Sequence, residues 1–145
     1  MRTMDRDEWI AFVSQGTRTG KLATVRGDGS PNVAPVWFLV EQADDGDWIV
    51  FNTGVASAKG KALARDPRFS MCVDDERPPF AFVQLTAEAE LSEDLDAMLP
   101  WSTAIGGRYM GEDQAERFGR RNAVRGELLV RGRITKVIAQ ADISA

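Results

Sequence analysis

Short turn-forming clusters divide the first half of the sequence into consecutive strand-like segments. Lys21–Arg26 has the alternation of a strand, Asn32–Glu41 is a long β-prone run, and Asp47–Thr53 is rich in branched and aromatic residues. Only Gly27–Pro31 and Gln42–Gly46 lie between them, and both contain several residues that favour turns. Connections this short join antiparallel strands, because a parallel pair needs a much longer crossover. The pattern therefore predicts an antiparallel sheet.

The rest of the sequence adds strands and helices around this sheet. The further strands are predicted at Arg68–Asp74, Phe80–Leu91 and Gly126–Val137, and the helices at Asp5–Ser14, Ala56–Arg65, Glu93–Ile105 and Glu112–Asn122. Six strands in a chain this short predict closure into a small barrel, since closure removes exposed edges. We therefore expect a mostly β fold, a six-stranded antiparallel barrel with flanking helices.

Length and charge limit the classes of function. The 145 residues suit a single domain spanning 1–145, and the net charge of −4 argues against a nucleic-acid partner. No apolar run approaches the roughly 20 residues that span a bilayer, and the charged first residues lack the apolar core of a signal peptide. One cysteine permits no intrachain disulfide. We expect a cytoplasmic protein that binds neither membrane nor nucleic acid.

The chain contains no histidine. This excludes Ser-His-Asp and Cys-His catalysis and histidine-ligated zinc, and no metal site is predicted. The sequence also lacks the glycine patterns of Rossmann and P-loop nucleotide sites. An enzyme with so few conventional catalytic groups would take its chemistry from a cofactor.

The segment from Phe51 to Lys61 is the first candidate site. A strand ends there and a helix begins near Ser57, and helix N-termini offer unpaired N–H groups that suit a phosphate. Thr53 and Ser57 add hydroxyl groups, while Lys59 and Lys61 add positive charge. The alternative is an ordinary helix cap with two solvated lysines.

The strand around Pro35 is the second candidate site. Proline prevents regular pairing, so residues near Trp37 and Phe38 could present free backbone groups to a flat heteroaromatic ring. The alternative is that both aromatic side chains simply fill the barrel.

A third region, from Trp101 to Arg125, is rich in aromatic and arginine residues, which could line a substrate opening or form a solvated helix face.

Three blocks of sequence resemble a known family. Leu22–Phe38, Val50–Leu63 and Arg65–Ser70 look like the pyridoxamine-phosphate-oxidase-like superfamily, and especially like its flavin and deazaflavin oxidoreductases that use coenzyme F420. The resemblance implies an FMN-binding type of split barrel that forms a homodimer, with cofactor at the interface. It covers about residues 20–92, and the segment after residue 92 departs from the pattern.

The resemblance also implies roles for particular residues. Positions matching Ser57 and Lys59 hold the cofactor phosphate with Lys61 close by, the strand from Ala34 to Phe38 lies against the ring, and positions from Lys21 edge the cleft. The predicted cofactor-binding residues are Lys21, Ala34, Pro35, Val36, Trp37, Phe38, Thr53, Ser57, Ala58, Lys59 and Lys61.

The choice of cofactor depends on two departures from the vitamin B6 oxidases. Those enzymes carry basic residues along the second strand and a histidine near the substrate, whereas Val33–Val40 has no basic residue and the chain has no histidine. We therefore expect a reductase that passes hydride from reduced F420 to an unsaturated small molecule. The alternatives are an FMN-dependent oxidoreductase, a flavin- or F420-binding protein without turnover, and a structural dimer with an empty cleft. No catalytic residue is assigned, and Tyr109 is only a candidate proton donor.

Overall fold

The computed structural model describes all residues from 1 to 145. The chain forms eight strands and four α-helices, with a short 3₁₀ turn at Glu112–Gln114. The strands are β1 (Arg2–Thr3), β2 (Gly20–Val25), β3 (Pro31–Val36), β4 (Leu39–Ala43), β5 (Gly46–Gly54), β6 (Arg68–Asp75), β7 (Ala81–Ser92) and β8 (Glu127–Ala141). The helices are α1 (Arg6–Ser14), α2 (Ala58–Arg65), α3 (Leu95–Met110) and α4 (Ala115–Asn122).

All eight strands belong to one antiparallel sheet. Its hydrogen-bonded order is β3-β2-β6-β7-β8-β5-β4, and β1 pairs with β8 outside this path. Strands β3 and β4 are the two ends of the path, yet only Trp37 and Phe38 separate them in the chain. The sheet therefore curls until its ends approach each other, and no ladder joins β3 to β4. This is a split barrel, so the predicted mostly β class with flanking helices is confirmed.

The strand count of six was wrong, because the structure has eight strands. The two-residue strand β1 was missed, and the predicted run Asn32–Glu41 is divided into β3 and β4 at Trp37–Phe38. The division has a physical cause in α3. The N–H of Phe38 donates to the Tyr109 hydroxyl (3.2 Å), and the Phe38 carbonyl accepts from Arg108 Nη1 (2.6 Å). Side chains thus satisfy backbone groups that a continuous strand would use in its ladder.

The barrel interior holds a single core of 20 buried residues. Alternation along the strands supplies it: in β7, Val83, Leu85 and Ala87 are buried while Gln84 and Glu88 are exposed. Strand β8 runs to Ala141, four residues beyond its predicted end at Val137, because its last part pairs with the beginning of β7. The order of the segments and the side chains that face the core were therefore predictable, but the full length of β8 was not.

Helices α1 and α2 begin directly after the capping residues expected from the sequence, whereas α4 begins at Ala115, three residues after its predicted start at Glu112. Asp5 caps α1 by accepting from the Glu8 N–H (2.9 Å), and Ser57 caps α2. Helix α3 continues beyond its predicted end at Ile105, through Gly106, where a Cβ atom would lie 2.7 Å from Phe118 Cβ. That glycine serves the close contact between α3 and α4 and does not end the helix. No helix is both long and apolar enough to cross a membrane.

Candidate functional site

Arg108 of α3 holds the segment between β3 and β4 in place. Its guanidinium donates to the carbonyls of Phe38 (2.6 Å), Val13 (2.7 Å) and Gly16 (2.9 Å). Burial lowers the pKa of Arg108. The guanidinium nevertheless donates hydrogen bonds to several carbonyl oxygens at once. One side chain therefore ties the seam of the barrel to α1 and the loop that follows it. This arginine therefore has a structural role, and it does not line the cavity described below.

Tyr109, the next residue, positions Trp37. The two rings stack with centroids 5.1 Å apart and planes 4° from parallel. The Tyr109 hydroxyl donates to the carbonyl of Arg18 (2.7 Å) and accepts from the N–H of Phe38 (3.2 Å). Burial raises the pKa of Tyr109. Because its proton is engaged with the backbone, the structure indicates a positioning role for Tyr109.

The N-terminus of α2 is organised by Ser57. Its hydroxyl donates to the Gly54 carbonyl (2.7 Å) and accepts from the Gly60 N–H (3.0 Å), and Thr53 Oγ1 lies 3.0 Å away. A Cβ atom at Gly60 would collide with the Gly54 carbonyl, so the turn needs glycine there. The first two helical N–H groups, those of Ala58 and Lys59, have no partner in the chain. They give the helix start its capacity to bind an anion.

A cavity of about 390 Å³ joins the end of β3, the end of β5, the start of α2 and the α3–α4 pair. Thirteen residues line it: Pro35, Val36, Trp37, Asn52, Thr53, Gly54, Ser57, Lys59, Ser102, Ile105, Arg121, Asn122 and Glu127. Six of the eleven predicted cofactor residues are among them. The two regions singled out in the sequence, around Pro35 and around Ser57, therefore meet at one cavity.

The other five predicted residues lie outside the lining. Lys21 pairs with Asp74 (3.3 Å) on the outer face of β2, and Phe38 is fully buried in the core. Ala34 lies in β3, beside the lining residues, whereas Ala58 and Lys61 are exposed on α2. A binding role for these five positions remains a prediction.

Asn52 is a lining residue that the sequence analysis missed. Its Oδ1 accepts a hydrogen bond from Ser102 Oγ (3.0 Å), while its Nδ2 is buried without a partner. A buried amide donor without an acceptor costs stability unless something satisfies it. The available signal was an amide side chain directly after the apolar run Trp48–Phe51. Asn52 thus adds to the cavity wall a side chain whose amide donor has no acceptor within the chain.

The charged lining residues do not neutralise each other directly. Lys59 forms no hydrogen bond or ion pair within 4 Å, and neither does the carboxylate of Glu127. Burial raises the pKa of Glu127, and the charge of Lys59 opposes that shift. Arg121 lies with its guanidinium 5.3 Å from the Phe118 ring centre. Arg121 Nη1 donates to Asn122 Oδ1 (3.4 Å), so Lys59 and Glu127 are the unpaired charged groups that a ligand can contact.

A larger cavity of about 640 Å³ lies between α1, the loop after β6 and the end of β8. Its arginines already have partners, including Arg2 with Glu8 (2.7 Å) and Arg18 with Asp75 (3.2 Å). Because its charges are paired within the chain, it is a weaker candidate than the smaller cavity despite its size.

Comparisons with known proteins agree with this architecture. A family model described as pyridoxamine 5'-phosphate oxidase matches residues 6–133, whereas a search of curated proteins found no match. A conserved hypothetical protein from Mycobacterium tuberculosis, Rv2991, is 25 % identical, with 97 % of this chain and 87 % of that chain covered and a TM-score of 0.81.

Two further solved structures share the fold at lower identity. One described as an F420 reductase is 22 % identical, covers 88 % of this chain and 94 % of its own, and has a TM-score of 0.66. A FAD-binding protein from Mesorhizobium loti is 19 % identical, with 95 % of each chain covered and a TM-score of 0.66. At these identities the similarity shows the fold alone.

Proposed function

The chain belongs to the pyridoxamine 5'-phosphate oxidase family, and within it we propose that this protein is an F420-dependent reductase. The proposal rests on one observation: a single cavity joins the Trp37 end of β3 to the unpaired Lys59 and the free N–H groups of α2. A cofactor that combines a flat ring with a phosphate-bearing side chain would place one of its two parts at each end of this cavity. The phosphate would lie at α2 and the ring beside residues 35–37.

The hydrogen-bond donors at the cavity suit such a cofactor. Lys59 and the N–H groups of Ala58 and Lys59 suit a phosphate. The buried Nδ2 of Asn52 suits a carbonyl or ring nitrogen, because it lacks an acceptor in the chain. The cavity volume of about 390 Å³ is at the lower end for ligand sites, so the anionic tail of F420 would extend beyond it.

We propose that a second copy of the chain completes the cleft. On the outer face of the sheet one row crosses four strands through the paired residues Val33, Ala23, Ser70 and Thr86, none of which is charged. Val33 and the neighbouring Val25 are 68 % and 51 % exposed. Exposed apolar side chains along this uncharged row support contact with another protein surface. A homodimer through this face would have two-fold symmetry.

In this proposal the protein positions the reactants. A bound reduced deazaflavin supplies hydride to an unsaturated small molecule. The stacked Trp37 and Tyr109 rings form a rigid wall beside the ring site, because the Tyr109 hydroxyl is held at both of its hydrogen bonds. Holding the two reactants in register lowers the barrier by removing the entropy cost of their encounter. No side chain is assigned as acid or base.

The second candidate function is an FMN-dependent oxidoreductase or a non-catalytic flavin carrier. It is supported by the fold shared with a FAD-binding protein, and the non-catalytic carrier is also supported by the Tyr109 hydroxyl, whose proton is engaged with the Arg18 carbonyl. Flavin and deazaflavin rings have similar shapes, so the same cavity suits either. Direct binding measurements separate these functions.

The test is fluorescence titration of the purified protein with F420 and with FMN. Lys59→Ala is expected to weaken F420 binding at least about tenfold, which corresponds to about 1.4 kcal/mol. Arg65→Ala is the matched control, because it removes one positive charge from the exposed far end of the same helix. Reduced F420 is then mixed with unsaturated acceptors and its oxidation followed by absorbance. Preference for FMN supports the second candidate, and the binding of neither cofactor contradicts both.

A further inference from the structure

Glu127 is the only carboxylate that lines the candidate cavity. It begins β8 directly opposite Gly54 in the ladder with β5. A Cβ atom at Gly54 would lie 3.3 Å from Glu127 Oε2 and 3.9 Å from Ser57 Cβ. The carboxylate and the capping serine therefore flank the same point, beside the helix start that we propose for the phosphate. An acidic group at that place is unexpected, because it repels the anion that the helix attracts.

The surrounding charges do not cancel this carboxylate by contact. Its side chain forms no hydrogen bond, and no cation lies within 4 Å of it. Lys59 of α2 and Arg121 of α4 line the same cavity, while Glu93 and Arg125 lie with Glu127 at a neighbouring opening. The cavity lining thus carries two positive charges and one negative charge. The single negative charge therefore reduces the attraction of the cavity for an anion, and the reduction is larger for a doubly charged anion than for a singly charged one.

We propose that Glu127 is a specificity-determining residue that favours a phosphodiester over a phosphate monoester at the α2 N-terminus. The inference rests on the proposed function and names the phosphate chemistry of that site. A phosphodiester, as in F420, carries one negative charge. The terminal phosphate of FMN carries nearly two at neutral pH, as other phosphate monoesters do. Repulsion by Glu127 grows with the ligand's charge, so FMN is disfavoured more than F420.

Glu127→Gln tests this because it removes the charge and keeps the size of the side chain. Dissociation constants are measured by fluorescence for riboflavin, F420 and FMN, which carry about zero, one and two charges at the phosphate position. We expect FMN to bind about tenfold more tightly to the variant, F420 about threefold more tightly, and riboflavin within twofold of its original affinity. Riboflavin and FMN share one ring, so their ratio isolates the phosphate.

Glu93→Gln is the control, since Glu93 is exposed near Glu127 but does not line the cavity. It is expected to leave the ratio of FMN to riboflavin affinity within twofold of its original value. Circular dichroism and thermal unfolding check that both variants fold. If Glu127→Gln weakens all three ligands, Glu127 accepts hydrogen bonds from their shared polyol chain and the inference is overturned.

The outcomes also separate this inference from the proposed function. If the unaltered protein binds flavins or F420 but Glu127→Gln leaves the FMN to riboflavin ratio unchanged, only the role of Glu127 is overturned. If the unaltered protein binds none of the three ligands, the proposed function fails and the inference fails with it. A selective gain for FMN supports the inference even if F420 is not the preferred cofactor.

Discussion

The two ends of the candidate cavity are built in different ways. At the α2 end, Ser57 bonds only to groups within four residues of it, such as Gly54 and Gly60. At the Trp37 end, Phe38 is bonded by Arg108 and Tyr109, which lie about 70 residues away in the chain. The first end can form from a short local segment, whereas the second exists only after α3 has packed against the barrel. Substitutions at the two ends should therefore differ in their consequences.

Arg108→Ala is expected to have the largest effect. It leaves the carbonyls of Phe38, Val13 and Gly16 without their donor, and two of these bonds are partly buried. We expect a loss of about 3 kcal/mol in the free energy of unfolding, measured by urea denaturation. The exposed Arg117→Ala on α4 is the control. An Arg108→Ala protein as stable as this control would show that Arg108 does not hold the Trp37 end of the cavity in place.

Gly60→Ala tests the local end. The added methyl group meets the Gly54 carbonyl, so the turn before α2 must shift, and this outweighs the gain in helix propensity from alanine. We expect a loss of about 2 kcal/mol in unfolding free energy, with weakened cofactor binding. Gly27→Ala is the control, because its methyl group would be no closer than 3.5 Å to its nearest neighbour. Equal stability of the two variants would contradict the close approach.

Tyr109→Phe should have the smallest of the three effects. The ring can still stack on Trp37, but the hydroxyl no longer joins the Arg18 carbonyl to the Phe38 N–H. We expect a loss of about 1 kcal/mol in unfolding free energy by urea denaturation, and ligand binding weakened by a few fold. In an F420-loaded enzyme the pH dependence of turnover should keep its shape. A lost titration step would instead identify Tyr109 as a proton donor.

The regular elements could be predicted where a pattern among neighbouring residues determines them. The alternation in β7 and the capping residues Asp5 and Ser57 were sufficient, because strands and helix starts depend on neighbouring residues. The predicted continuous strand Asn32–Glu41 was wrong, because residues of α3 satisfy the backbone of Phe38. Glu127 and Asn52 were not predicted as cavity residues, because an acid at a strand start and an amide after an apolar run have no distinctive local pattern.

By itself the sequence determined the antiparallel barrel class, the order of its segments and the two cofactor-like segments around Pro35 and Ser57. Turn chemistry, alternation and capping act over a few residues, so they can be recognised without coordinates. Only the tertiary structure decided that these segments share one cavity and that Glu127 lies beside the start of α2. Those relations depend on how the sheet curls and on where the α3–α4 pair packs. Packing of this kind joins residues far apart in sequence, and no local pattern records it.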